Sequence, residues 1–382
     1  MTGKRIAGVL FFLVFAAGGV AALLASSWWK QSQQAVGPGD PARVNVPKGA
    51  AIGTIAEDLE KRKLIRSAKA FTYIARGRSV QPGTYEVKPS ETPSQILDRL
   101  AKGDILTVKV TIPEGYTLAQ IARRLEENGL GDADAFLYLV QKEGAKLKAS
   151  FPPPANLEGY LFPDTYRFPV GSDAETVAQR MLTQFDEQVA KKRADLLKKS
   201  GRTLREIVII ASMVEREARV AKDRAPIAGV IYNRLAQNMP LQIDATVLYA
   251  YLLQGEGHKE RLLYRDLAIN SPYNTYRVRG LPAGPICNPG IASLDAALTP
   301  DRSQPYLYYV ARPDGSHIFG TTLAEHNRNI ALVRSGAPVA AVGAPAAGPA
   351  GPAGVSPAPQ RRPVRRRAPR RRAVRPAAPA AR

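Results

Sequence analysis

Two carboxylates, Glu215 and Glu217, close the run Thr203 to Val220 (TLREIVIIASMVEREARV), whose apolar residues recur at helical spacing. Thr203 followed three residues later by Glu206 forms a capping box, and Val208, Ile210, Ala211, Val214 and Ala218 carry the pattern on, so the run predicts a helix. Glu215 stands one or two turns from Val208, Ala211, Ser212 and Ala218, so its carboxyl should emerge from a poorly hydrated face. A carboxyl in such surroundings keeps its proton near neutral pH and can serve as a general acid. Glu217, flanked by Ile210, Met213 and Val214, satisfies the same argument, and periodicity does not choose between them. A plainer alternative pairs Glu215 with Arg219 at i+4 on a solvated face.

Other stretches carry residues suited to a polar ligand. Asn156 to Tyr166 (NLEGYLFPDTY) crowds aromatics, a turn and two acids together; VIYNRL (230–235), LQIDATVLY (241–249), SPYNTY (271–276) and GLPAGPICNPG (280–290) follow the helix. Proline and glycine at this density mean loops whose path is set. Aromatic rings beside Asn, Thr and Gln suit a carbohydrate groove, with apolar faces for sugar CH groups and neutral donors and acceptors for hydroxyls and acetamides. His258, His317 and His326 lack tight ligand spacing, although His317 and His326 could meet in space, so neither a metal nor a cofactor is implied. The single cysteine, Cys287, cannot form an internal disulfide, so stability must come from core burial.

The elements that must position these groups begin with an uncharged run, Ile6 to Leu24 (IAGVLFFLVFAAGGVAALL), close to the roughly 20 residues that cross a bilayer. Lys4 and Arg5 precede it and Trp28, Trp29 and Lys30 follow, which predicts a cytoplasmic N-terminus and a body outside the cytoplasm. A cleaved signal peptide, with small Ala25 and Ser26 after it, is the competing reading, although its apolar core would be shorter. Beyond a polar linker comes an internal repeat: Pro47, Gly49, Ile55, Ala56 and Leu59 recur as Pro113, Gly115, Ile121, Ala122 and Leu125. Each copy reads as a strand, a Pro-x-Gly turn and an amphipathic helix, with a looser third copy expected from Gly83 to Val87 into the helix Ser94 to Leu100. These units resemble LysM-like modules, which bind the N-acetylglucosamine-rich backbone of cell-wall glycans; a structural spacer is the alternative. From Gly336 the chain is mostly Ala, Pro, Gly and Arg and has no acid, and ten tail arginines make up much of the net charge of +21. Such a composition predicts a disordered arm, for which anionic lipid or polymer rather than nucleic acid is the expected counterion.

In order and spacing the runs LEGYLFPDTY, IASMVEREA, IYNRL, LQIDATVLY, SPYNTY, GLPAGPICNPG and YLYYVARPDGSHIFGTTLAEHN resemble the YceG-like (MltG) family of endolytic murein transglycosylases, over roughly Val44 to Leu332. The resemblance implies a single-pass inner-membrane enzyme with a periplasmic catalytic domain, acting on nascent peptidoglycan strands near the membrane, with peptidoglycan synthases as candidate partners. The family's catalytic glutamate is the first acid of its V-E-x-E run, which maps onto Glu215. Ala283 and Gly320 depart from residues common in the family and bear on local loop shape. Gln242, Asp244, Asn274 and Tyr276 are candidates for positioning a sugar or supporting the acid, and Glu158 is the alternative acid. The expected architecture is α+β: 1–5 cytoplasmic, 6–27 transmembrane, 28–42 linker, 43–150 LysM-like repeats, 151–335 an α+β catalytic domain and 336–382 the disordered tail. A water-using muramidase, pairing Glu215 with Asp244 or Glu158, is the alternative chemistry. A non-catalytic glycan-binding scaffold is the alternative class, and an anionic-polymer binder would need only the tail.

Overall fold

A computed structural model describes residues 2–256, 259 and 262–336; side chains before Phe11 are outside that description, as are His258 and the tail expected to be disordered. The first element is the 31-residue helix α1 (Thr2–Ser32), whose stretch Phe11–Ser32 has a mean hydropathy of 1.9 and is long and apolar enough to cross a membrane. Residues 33–41 are tied down rather than loose. Arg66 donates to the carbonyls of Ala35 and Val36, Val36 N–H donates to Pro89, and Trp29 meets Tyr73 edge-on with ring centroids 5.2 Å apart.

The repeat folds twice into the same order of elements. The first copy comprises β1 (Ala42–Val46), α2 (Ile52–Lys61), α3 (Ala68–Ile74), β2 (Gly83–Val87) and α4 (Pro93–Lys102). The second comprises β3 (Thr107–Thr111), α5 (Leu118–Glu127), α6 (Ala133–Lys142), β4 (Thr165–Pro169) and α7 (Ala174–Phe185). In each the two strands pair antiparallel, Ala42 opposite Val87 and Thr107 opposite Pro169. Alternation sends Val44, Val46, Tyr85 and Val87 to one face, where they bury Ile55, Leu59, Phe71, Ile96 and Leu100. The strand expected to open a third copy is therefore the partner that closes the first; long-range pairing, which spacing does not reveal, decides this.

The second copy has no core of its own. Val110, Ile121, Leu125, Phe136, Tyr166 and Phe168 belong to a core that continues into α8 (Ala194–Ser200), α9 (Leu204–Glu217), α10 (Arg224–Ala236), α11 (Asp244–Leu253) and α12 (Ile291–Leu298). A hairpin, β5 (Tyr308–Ala311) and β6 (His317–Gly320), and α13 (Leu323–Ser335) complete the described residues. The expected boundary at residue 150 thus runs through the middle of one apolar cluster. The IYNRL run holds the hairpin in place: Asn233 Nδ2 donates to Tyr306 O at 3.0 Å, and buried Arg234 donates to Leu307 O at 2.6 Å and Leu241 O at 2.8 Å.

Candidate active site

The capping box expected at Thr203 forms, with Thr203 Oγ1 accepting from Glu206 N–H and the Glu206 carboxylate from Thr203 N–H. From Ile207 to Val214 every residue of α9 is buried, so the helix is apolar all round and central rather than amphipathic. Glu215, Arg216 and Glu217 are where it surfaces. Their partners lie in different directions.

Glu215 is half-buried. Its Oε2 accepts from Ser293 Oγ at 2.6 Å and from Gly290 N–H at 3.2 Å, while Oε1 accepts no hydrogen bond among the described residues. Ser293, on α12, accepts in turn from Arg224 Nε at 3.3 Å. Glu215 and Arg219 form no ion pair; the Arg219 stem packs beside Gly315 instead. One carboxylate oxygen is thus fixed by two donors, and the other accepts no hydrogen bond among the described residues.

The turn that opens the second repeat supplies another wall. Gly115 N–H donates to Asn288 O at 2.9 Å and Asn288 N–H to Tyr116 O at 2.8 Å, which lays 113–116 along the 285–290 loop. This brings Glu114 against Gly290, where a Cβ would sit 1.9 Å from a Glu114 oxygen, so a side chain at 290 would displace that carboxyl. Glu114 is raised above the usual carboxylate range, first by desolvation and then by the charge of Glu215, with Arg224 pulling it down. Glu114 stands outside the helical pattern that marks Glu215 and Glu217. A signal was present: the matching turn of the first copy is Pro47-Lys48-Gly49, so the two repeats differ in charge at this position.

Glu217 faces the hairpin. It accepts from Tyr309 OH at 3.1 Å, and desolvation, joined by the nearby charge of Asp244, pushes it up to about 7 against the pull of Tyr309 and Arg216. Asp244 lies on this same side, accepting from Tyr276 OH at 2.6 Å. Gln242, at φ 55°, donates its N–H to Thr275 O and accepts from Arg234. Asn274 is fully buried and shapes its loop, donating to Leu267 O and Ile269 O and accepting from Tyr276 N–H.

Glu158 lies underneath. It is 4% exposed and accepts from Leu118 N–H, Tyr249 OH and Asn288 Nδ2, yet burial outweighs these bonds and pushes it up to about 7. Asn288 also accepts from Gly159 and Leu161 N–H, so Glu158 reaches the site through the loop that carries Gly290. His317 is held by Asp223 at 2.9 Å, whereas His326 stacks on Tyr308. Among the described residues no group of His, Cys, Asp and Glu is arranged to hold a metal ion.

A pocket of about 450 Å³ lies between α5 and α11, lined by Tyr116, Arg123, Arg124, Leu248 and Leu252 and, next to Glu215 in the chain, by Arg216; Glu215 itself is not in its wall.

Known proteins share this framework. Over 303 residues the chain is 36% identical to the endolytic murein transglycosylase of Bacillus subtilis (strain 168), an alignment covering 75% of this chain and 82% of that protein. It is 33% identical over 322 residues to the endolytic murein transglycosylase of Streptococcus pneumoniae (strain D39), covering 75% of this chain and 57% of that one. A crystal structure of a YceG-like protein from Listeria monocytogenes superposes with a TM-score of 0.51 at 36% identity, over 76% of this chain and 99% of that one. The model of the YceG-like family matches residues 44–332, from the first buried strand residue to the last helix, and the chain belongs to that family.

Proposed function

We propose that the chain is a membrane-anchored lytic transglycosylase that cuts peptidoglycan glycan strands internally, with Glu215 as its acid and base. The observation that carries this is the asymmetry of the Glu215 carboxyl, Oε2 fixed by Ser293 and Gly290 and Oε1 accepting no hydrogen bond among the described residues, on a helix whose next residue, Arg216, lines a pocket of about 450 Å³. The relatives' names point the same way.

In this mechanism Glu215 gives its proton to the glycosidic oxygen as the bond from that oxygen to the muramic acid anomeric carbon breaks. The C6 hydroxyl of the same muramic acid, held close to C1, then closes the ring and returns its proton to the Glu215 carboxylate. No water is consumed, because the intramolecular hydroxyl has a large effective concentration. Glu114, as a carboxylate, supports positive charge at the anomeric carbon, and the nearby charge of Arg224 favours that ionised form. Gln242, Asp244 and Tyr276 line the Glu217 side and position sugar, while Glu158 and Asn274 hold the loops in place.

The α1 helix serves as an uncleaved anchor with its N-terminus in the cytoplasm, and the β1-α2-α3-β2 copy as a LysM-like glycan grip. A second reading follows from Glu114: two neighbouring carboxylates are also what a water-using glycosidase needs. The products separate the two. Digesting purified peptidoglycan with the protein should give 1,6-anhydro ends, about 18 mass units lighter than hydrolytic ends and inert to borohydride, because one water is omitted. Glu215→Gln should cut turnover by at least roughly 10²- to 10⁴-fold, and Glu217→Gln far less. Reducible ends at full mass would assign the hydrolytic reading, and a Glu217→Gln enzyme deader than Glu215→Gln would move the acid.

A further inference from the structure

The pocket between α5 and α11 is two-sided. Leu248, Leu252 and Ala245 make one wall apolar, and Arg123, Arg124 and Arg216 make the other cationic against one acid, Glu127. All three arginines are exposed, and among the described residues none of their guanidinium groups makes a hydrogen bond or ion pair with the protein. Arg123 and Arg124 are thus left to a ligand's charge, while Arg216, although unbonded, also acts on Glu217.

The internal repeat shows that folding does not require it. Helix α2 of the first copy spans Ile52–Lys61 and α5 of the second Leu118–Glu127, so the copies align without a gap, and Glu57-Asp58 stand where the second copy has Arg123-Arg124. The buried positions match, Ile55, Ala56 and Leu59 against Ile121, Ala122 and Leu125. The same helix in the same repeat therefore forms with two acids in place of the two arginines.

Three segments join this pocket to the acid. Gly115 lies where an added Cβ would stand 3.6 Å from Glu215 Cγ, while the adjacent Tyr116 lines the pocket; Arg216 follows Glu215 directly; and the loop whose Gly290 donates to Glu215 contributes Ile286 to the wall. A side group of a sugar bound at Glu215 would therefore have this pocket as its neighbour. In peptidoglycan the group that branches from the muramic acid is the peptide stem, which carries alkyl side chains and free carboxylates, and the glycan backbone itself offers no comparable charge.

We propose that this pocket receives the acidic peptide stem of the substrate, its carboxylates on Arg123, Arg124 and Arg216 and its alkyl groups against Leu248 and Leu252, so that peptide-bearing strands are preferred to stripped ones. The inference rests on the peptidoglycan reading above, and binding tests it apart from cleavage. The full-length Glu215→Gln protein should bind N-acetylmuramyl-L-alanyl-D-glutamate with an affinity that falls as salt rises. Arg123→Gln with Arg124→Gln, and separately Arg123→Glu with Arg124→Asp, should weaken it about 10-fold or more, charge-assisted contacts being individually strong. The exchange to acids repeats the first copy's own pair, which guards against loss of fold. Amidating both probe carboxylates should have a similar effect. In the active enzyme the arginine variants should lower kcat/KM on peptide-bearing strands about 10-fold relative to strands stripped by an amidase. Unchanged binding in the variants, or equal affinity for the amidated probe, would overturn the proposal. Displacement by inorganic pyrophosphate at concentrations far below those of the muramyl peptide would overturn it too, assigning the pocket to a lipid-linked strand end. Arginine-dependent binding without cleavage would refute the enzyme reading alone, and anhydro products without such binding would refute this inference alone.

Discussion

Carboxyl groups of one residue type have been put to different uses within a short distance. Glu215 is anchored through one oxygen, Glu114 shares Gly290 with it, Glu217 is bonded to Tyr309, and Glu158 is sealed beneath the loop. The sealed one makes a stability prediction. Its carboxyl is raised from 4.5 to about 7 in the fold, so between those values the unfolded chain sheds a proton that the folded chain keeps. Stability from this group therefore falls as pH rises from about 4.5 to 7, with the full loss, on the order of 3 kcal/mol, present above 7 and none below 4.5. Glu158→Gln removes the titration at the cost of one acceptor for three donors, a penalty that does not vary with pH. The melting temperature of the variant minus that of wild type should consequently climb across this window. Taking the difference cancels the similar contribution of Glu217, and a difference that stays flat from pH 5 to 8 would show that Glu158 is not held neutral.

At the scale of elements, α9 explains why acids appear where they do. Eight consecutive buried residues carry the helix through the core, and its last turn is where it returns to solvent. Its start is set by Thr203 and Glu206, each satisfying the other's backbone N–H. Thr203→Ala opens that box and should cost about 1 kcal/mol, the usual worth of an N-cap. A fall of a few degrees in the melting temperature with kcat little changed is expected, since the cap lies at the opposite end of α9 from Glu215; a large loss of kcat would show that the helix is not held by its core packing. Ser212 and Cys287 help fix the other neighbour of the site: Ser212 Oγ accepts from Ile286 N–H at 3.1 Å, and the buried thiol, pushed well above its ordinary range by desolvation, donates to Ser212 O.

For the whole molecule, the core unites the second repeat with the helices of the site, while the first repeat has its own core and is tied to the end of α1 by Arg66, Pro89 and Trp29. Ending the chain at Gly336, the C-cap of α13, should leave cleavage and melting temperature unchanged, because every core residue among the described residues lies before it. Binding to anionic vesicles should weaken in the truncated protein, with the tail-dependent part fading as salt screens it. A drop in turnover on detergent-solubilised strands would show that the tail contributes to the site.

Much of this was legible before any fold was known. Helix α9 and its cap, the apolar N-terminal helix and the duplicated strand-turn-helix units are written in contacts between residues a few positions apart, and such contacts show in local spacing. The family resemblance selected Glu215 over Glu217, and membership of that family is now shown over residues 44–332. What spacing could not show is which distant segments meet. Ser293, 78 positions after Glu215, and Gly290, 75 positions after it, supply the donors on Oε2, and Glu114 arrives from a turn in another repeat. Glu158 and Asn274 looked like candidate site residues because acids and amides among aromatics look alike in sequence whether they bind a ligand or hold a loop. Only the closed core, by removing water from Glu158 and leaving Glu215 at the surface, tells those two carboxyls apart.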